Sequence, residues 1–229
     1  MQFVEDTERR AQIIQGIRDR MPERSAGVHL SDLTGCLNKY YYKCLYGERP
    51  VEDDLLLLFT SGRAIQAWMT GKFEDAPSVT LDGITCSVDN MENGVHEELK
   101  YTYSSSNKPI KQQWLTQIMG YCKAHGVREF VLSQWNVMGD WSWVYKRKDR
   151  PVDGRHPVLT STRMVFTDAE IDENWEWCLR RKQVLEMAEK NRVEPSLIVP
   201  DWLGEIDGRW QCKNGSSVCV WYGECVSRC

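Results

Sequence analysis

Asn93-Gly94, set between two runs of alternating polarity, constrains this chain more than any other feature, because Asn-Gly is a strong signal for a two-residue β-hairpin turn. The period of two begins at Val79, giving a strand to Asp89 and a return strand to about Tyr103. With a two-residue loop, Glu92 faces Val95, and counting outward sets Asp89 directly opposite Glu98. Thr85, Ser87 and Asp89 then share one face, and Ile84, Cys86 and Val88 the other. On the return strand His96, Glu98, Lys100 and Thr102 lie on the polar face. Val95, Leu99 and Tyr101 are expected to point into a core, and Glu97 falls on their side, away from Asp89.

Directly opposed residues have Cβ atoms about 5 Å apart, where two carboxylates repel unless something positive lies between them. A divalent cation meets that need, and oxygen ligands suit Mg²⁺ or Mn²⁺, ions that activate water and neutralise charge at a phosphate ester. Lys100, two residues from Glu98, is placed to hold an attacking water and stabilise developing negative charge. The competing reading is a solvated surface hairpin, since Asp and Glu-x-Lys recur by chance. Asp82, before Gly83, is the alternative carboxylate.

The remaining periodicities predict a short polar helix over 5–20 and a second helix from the Ser31/Asp32 cap signal through Tyr40, Tyr41 and Tyr42, closed by Gly47 and Pro50. A third, from about Glu52 to Met69, carries Leu55, Leu58, Phe59, Ala64, Ile65 and Trp68 as its apolar stripe and stops at Gly71. Pro109 opens a helix to about His125; strands follow at 128–137, 141–146 and 158–166, then a long helix from Asp168 to about Asn191. The order α-α-α-β-β-α-β-β-β-α describes an α/β chain with a mixed central β-sheet flanked by helices. At 229 residues it is expected to form one domain, 1–229.

A formal charge of −4 excludes a uniformly basic nucleic-acid coat, so any DNA contact comes from a local groove. The longest strongly apolar stretch, Leu55 to Phe59, is far short of the ~20 residues of a membrane helix. The N-terminus MQFVEDTERR lacks an apolar signal core, so the expected location is the cytoplasm, with thiols kept reduced. Nine cysteines there point to a metal or cluster rather than disulfides. Four of them, Cys212, Cys219, Cys225 and Cys229, fall in an irregular tail rich in Gly and Trp. Four thiolates suit a [4Fe-4S] cluster or a Cys₄ zinc site, and spacing does not separate the two. Cys44, Cys86, Cys122 and Cys178 lie within elements and read as small hydrophobes.

Candidate phosphate contacts are Lys146, Arg147, Lys148 and Arg150, and the helical Arg180, Arg181 and Lys182, although each also fits a solvated face. Tyr40 to Tyr42 are candidates to stack bases or to reach the core. Trp135, Trp141, Trp143, Trp175 and Trp177 read as packing, and His29, His125 and His156 have no partners at ligand spacing.

The stretch ITCSVD, followed by EELKYTYSSS, resembles the Asp and Glu-x-Lys motifs of the PD-(D/E)XK nuclease superfamily in its RecB-like branch, with Cys86 where a Gly usually stands. QIMGY is similar to that branch's Gln-x-x-x-Tyr motif, which implies that Gln117 and Tyr121, on one helix face, orient the catalytic groups or touch DNA. GRAIQ is similar to its Gly-x-x-x-His segment, with Gln66 in the metal-binding His position; an amide oxygen is a weaker ligand for transition metals than imidazole. Cys36 in SDLTGCLNKYYY resembles the N-terminal cysteine segment of the CRISPR-associated iron-sulfur exonucleases. Cys212, Cys219 and Cys225 match that family's C-terminal trio, the last two keeping Cys-x5-Cys, although KNGSSV replaces the usual two residues between the first pair. Cys229 is the alternative to Cys225.

The resemblance implies a restriction-endonuclease-like nuclease core, with residues 31–47 and 205–229 forming an iron-sulfur region that joins the chain ends. It further implies a Mg²⁺- or Mn²⁺-dependent exonuclease, with or without endonuclease activity, acting on DNA that is single-stranded or has a free end. The implied metal ligands are Asp89, Glu98 and Gln66, and the implied [4Fe-4S] ligands Cys36, Cys212, Cys219 and Cys225. Implied partners are CRISPR adaptation proteins, hence antiviral defence, or recombination proteins, and no membrane. Alternatives from other classes are a nucleic-acid-binding protein of the same fold with weakened catalysis, and a zinc-bound interaction module.

Overall fold

The Asn93-Gly94 turn forms as expected: both residues take positive φ, 51° and 78°, as a type I′ hairpin requires. Strands β4 (Asn90–Glu92) and β5 (Val95–Thr102) pair antiparallel in the anticipated register, Glu92 against Val95 and Asn90 against Glu97. These elements belong to a computed structural model that describes residues 6–21, 24–72, 76–140, 157–199, 212–214 and 217–226. The first strand of the expected hairpin is interrupted. A second turn at Asp82-Gly83, again with positive φ (51° and 73°), folds β2 (Val79–Leu81) back on β3 (Ile84–Cys86), and β4 begins only after a break at 87–89. Asp-Gly carries the same turn chemistry as Asn-Gly, so the chain turns twice where one long strand was expected.

Before these strands come α1 (Thr7–Arg18), β1 (Val28–His29), α2 (Leu30–Leu33), α3 (Leu37–Tyr46) and α4 (Asp53–Thr70). The helix expected from Ser31 through Tyr42 is thus two, parted at 34–36 where Cys36 turns extended as the cap of α3. The carbonyls of Leu33 and Gly35 at this break accept from the buried Arg181 guanidinium, at 2.5 and 2.8 Å. Helix α4 does not bury the expected stripe. Leu56 and Ala67 are its buried positions, while Leu58, Phe59, Ala64 and Trp68 face outward, Trp68 at 78 % exposure. With four leucines and a phenylalanine in a row, every phase offers an apolar side chain, so periodicity alone does not select the inward one.

After β5 come α5 (Gln112–His125), β6 (Glu129–Asn136), β7 (Val158–Val165), α6 (Asp168–Asn191), α7 (Pro195–Ile198), the short pair β8 (Lys213–Asn214) and β9 (Ser217–Val218), and α8 (Tyr222–Val226). Helix α6 has the expected bounds because Thr167 and Glu170 close a reciprocal capping box at its start. The expected strand at 141–146 lies outside the described residues.

The architecture is mixed α/β. One sheet runs β4-β5-β6-β7, with β5 and β6 parallel and the outer pairs antiparallel; a smaller sheet runs β1-β3-β2. Parallel β5 and β6 are joined through α5, a βαβ unit. Helix α4 packs against β5, and α5 against β2, β3, β6 and α6. The core gathers Leu30, Leu33, Ile84, Ile118, Phe130, Leu132, Trp175 and Leu185. Gly120 lets α5 press onto α2, since a Cβ there would lie 2.6 Å from Leu30. No helix among the described residues is long and apolar enough to cross a membrane.

Candidate active site

The polar face of β5 is the one that is covered, contrary to the expectation that Val95, Leu99 and Tyr101 face the core. His96 and Glu98 are buried, Glu98 at 2 % exposure, and Val95 is exposed. The parallel register explains this: Glu98 lies beside Leu132 of β6, whose side chain belongs to the core. Glu97 faces away from Asp89 as parity requires, accepting from Ser133 Oγ at 2.5 Å and Asn90 Nδ2 at 3.0 Å.

Asp89 sits in the break before β4, where its Oδ2 accepts the Leu99 amide at 2.7 Å. Burial, and then the charge of Glu98, push its carboxyl well above the usual range. Glu98 Oε1 accepts from Lys100 Nζ, whereas Glu98 Oε2 is buried with no hydrogen-bond partner. Burial alone would lower the Lys100 ammonium, but Glu98 and Asp89 outweigh it and raise its pKa, so the cation stays charged. Lys100 Nζ also donates to Gln117 Oε1 at 3.4 Å, and Gln117 Nε2 donates to Tyr121 Oη at 2.5 Å. Burial and the two carboxylates raise the Tyr121 hydroxyl well above its normal value, keeping it neutral. Gln66 of α4 reaches the same place, its Nε2 donating to the Asp89 carbonyl at 3.4 Å. The structure therefore brings Asp89, Glu98, Lys100, Gln117, Tyr121 and Gln66 together. Asp82 is elsewhere, accepting from Trp175 Nε1 at 2.9 Å.

Two further residues belong to this neighbourhood. Lys111, the cap residue of α5, lies over Trp114 with Nζ 5.0 Å from the ring centre, and Lys100 Nζ is 5.9 Å from the same ring. Burial and the nearby Lys100 charge lower the Lys111 pKa. No spacing in the sequence signals this pair, because a cation beside an aromatic three residues on is a common helix opening.

Two carboxylates against one lysine, with a buried carboxylate oxygen unpartnered, is a donor set that fits a hard divalent cation. No group of three or more His, Cys, Asp or Glu side chains that could hold a metal occurs among the described residues. A cation here would take its remaining ligands from amides, water or phosphate, as Mg²⁺ commonly does.

At the N-terminal cap of α3, the thiol of Cys36 is pushed up to about 12 by burial, with the charges of Cys212, Cys219 and Cys225 adding to it. The four expected cysteines thus lie within electrostatic range of one another, without forming a closed cage. Asn38 Nδ2 donates to Cys225 Sγ at 3.4 Å. Cys229 and residues 205–211, 215–216 and 227–228 lie outside the described residues. Cys86, Cys122 and Cys178 are fully buried, as expected, but Cys44 is exposed.

Two sets of candidate nucleic-acid contacts are corrected. Tyr40, Tyr41 and Tyr42 are buried and cannot stack bases; Tyr42 stacks on Trp221 at 5.7 Å between ring centres. Arg181 is buried at the α2–α3 break and stacked on Trp177, and Lys182 is paired with Glu186, so neither is a free phosphate contact. His29 bonds the Ser25 carbonyl at 2.9 Å through its ring nitrogen, and His125 meets His96 edge-on at 4.8 Å. Lys146, Arg147, Lys148, Arg150, Trp141, Trp143 and His156 lie outside the described residues.

The sequence matches no family model and no curated protein. Among solved structures, the chain is similar to SSO0001, with 13 % identity and a TM-score of 0.52 over 99 % of this chain and 98 % of that one. Further likenesses are to an alkaline exonuclease, LHK-Exo, from Laribacter hongkongensis (16 % identity, TM-score 0.44, 72 % of this chain and 90 % of that one) and to a phage-related exonuclease from Haemophilus somnus 129PT (11 %, 0.45, 74 % and 97 %). At such identity the first likeness speaks to fold, and it spans the whole of both chains.

Proposed function

We propose that this chain is a metal-dependent DNA nuclease, and the buried, unpartnered Glu98 Oε2 beside Asp89 and Lys100 is the observation that carries the reading. Asp89 and Glu98 would hold Mg²⁺ or Mn²⁺, with Gln66 adjacent. Such an ion lowers the pKa of a bound water and neutralises charge at the scissile phosphodiester. Lys100, charged and aimed by Glu98 and Gln117, stabilises negative charge developing on the phosphate and orients the attacking water. Gln117 and Tyr121 are positioning residues, fixing the lysine through one amide.

The substrate is DNA, single-stranded or with a free end, cut exonucleolytically; CRISPR adaptation or recombination proteins are partners on the strength of the motif resemblance alone. The reading takes 1–229 as one nuclease domain whose ends are joined by a structural [4Fe-4S] cluster on Cys36, Cys212, Cys219 and Cys225; it rests on the motif resemblance, with Asn38 of the helix that Cys36 caps donating to Cys225 Sγ at 3.4 Å and the Cys219 amide to the Cys212 carbonyl at 3.1 Å. A cluster there closes the chain without entering the chemistry.

Labelled single-stranded DNA is cut by the parent chain with Mg²⁺ or Mn²⁺, and Glu98→Ala and Lys100→Ala lower the rate by about a hundredfold or more. Equal cutting by these variants refutes the site. A non-cleaving DNA-binding protein is the second reading, favoured by Gln66 presenting an amide donor to the Asp89 carbonyl; it predicts DNA binding with no cutting in either metal.

A further inference from the structure

Two neighbouring imidazoles each keep one nitrogen unpaired. Nδ1 of His96 and Nε2 of His125 are buried, and neither makes a hydrogen bond. Leaving such an atom desolvated and unpaired costs free energy, so two of them side by side call for a reason. His96, 8 % exposed, belongs to β5 two residues before Glu98. His125 is the last residue of α5, about one turn beyond Tyr121. Their ring centres are 4.8 Å apart, with the planes at 65°. This edge-on contact can set an N–H against the π cloud of the facing ring, but that weak bond accounts for at most one of the two nitrogens.

A metal ion accounts for both. Two imidazoles bound to one ion at about 2.0–2.1 Å, and separated by a tetrahedral or octahedral cis angle, have ring centres about 4.5–5.2 Å apart. The observed spacing falls inside that range. With an ordinary pKa of about 6.5, histidine is mostly neutral above that pH, and the neutral ring is the form that ligates. There is room for further ligands, since a cavity of about 330 Å³ opens on His96, with Val127, Glu129, Phe130 and Val165 in its wall. The charged groups of that wall are already balanced, Glu129 by Arg163 and Arg128 by Asp168. No third His, Cys, Asp or Glu completes a cage among the described residues, which leaves the remaining positions to water. Nitrogen ligands suit Zn²⁺, Ni²⁺ or Cu²⁺, whereas Mg²⁺ takes oxygen.

We propose that His96 and His125 form a second metal site, separate in its chemistry from the carboxylates, which takes a borderline transition-metal ion of the zinc class through His96 Nδ1 and His125 Nε2. The ion ties the start of β5 to the end of α5, the elements that carry Glu98 and Lys100 on the one hand and Gln117 and Tyr121 on the other. The proposal does not rest on the nuclease reading, and it holds equally for a chain of this fold that cuts nothing.

The chain has four histidines, so ¹⁵N-labelled histidine gives imidazole signals few enough to follow one by one. The full chain as purified is titrated with Zn²⁺ in excess Mg²⁺, which fills oxygen sites, while zinc taken up by thiols leaves the imidazole nitrogens unliganded. The signals of His96 and His125 should move together over the same zinc concentrations and return with EDTA, while the other two stay. His96→Gln and His125→Gln should each remove one signal and weaken the response of the other by about tenfold or more, since even an outer-shell partner of a metal is worth that much. Zinc that leaves both signals in place overturns the proposal, whatever the variants do to the melting temperature. So does a His96 signal that moves as before in His125→Gln, a result that needs no folded His96→Gln chain.

Discussion

Asp89 decides the charge balance of the site. Its carboxyl is raised by burial and then by Glu98, so the folded, metal-free chain binds this proton more tightly than the unfolded chain does. Stability from this group is therefore fully present below the unfolded value of about 3.9 and is lost as the pH climbs through the raised folded value. If Asp89 and Glu98 hold a divalent cation, as proposed, the cation would offset that penalty and compete with the proton. Added Mn²⁺ or Mg²⁺ should then raise the melting temperature more at pH 8 than at pH 5, by a few degrees at about a hundredfold excess over its dissociation constant. Differential scanning fluorimetry across pH checks this, and an equal gain at both ends, or a gain retained in Asp89→Asn, would contradict the assignment. The register that pairs Asn90 with Glu97, one step from Asp89, was legible, because Asn93-Gly94 fixes it. The Leu99 amide that holds Asp89 Oδ2 was not, since strand parity says nothing of where a chain breaks just before a ladder.

Elements were legible where local chemistry dominates. Helix α6 was bounded correctly by its capping box, and β6 and β7 fall within a residue of the expected bounds. They depart from expectation where several phases or signals compete: the leucine run leaves the face of α4 open, and Asp82-Gly83 folds a single expected strand into two. The α2–α3 break depends on Arg181, 148 and 146 positions away, whose bonds satisfy the buried carbonyls of Leu33 and Gly35. Gly120 makes a comparable long-range contact. Gly120→Ala should destabilise the chain by about 1–3 kcal/mol through overpacking against Leu30. In urea melts, Gly120→Ala combined with Leu30→Ala should cost less than the two single changes summed. Additive costs would mean that the two side chains do not meet.

At the scale of the whole molecule, the cysteines tie positions from 36 to 225 into one neighbourhood. Tyr41, Tyr42, Ala188 and Trp221 pack as a second small core in the same region, and Arg49 reaches back to the Val220 carbonyl at 2.7 Å. A metal held by the four thiols, as proposed, would take their protons and add to the stability of the fold. Cys36→Ser and Cys225→Ser should each abolish bound iron in anaerobically purified protein and lower the melting temperature, and the double change should cost little more than either alone. Colourless parent protein containing zinc and no iron would replace the cluster with a Cys₄ zinc site, and metal-free parent protein would remove both.

The sequence by itself determined the α/β class, the hairpin register that pairs Asn90 with Glu97, one step from Asp89, and the residues that stand as candidates, because turn chemistry, strand parity and helix caps act over a few residues. Only the tertiary structure decided which face of β5 is buried, that Gln117 and Tyr121 secure Lys100 rather than stand alone, and that His96 and His125 meet ring against ring. Those outcomes depend on how α5 seats against two sheets and on which distant groups satisfy each buried polar atom, relations among residues far apart in the chain that no local pattern encodes.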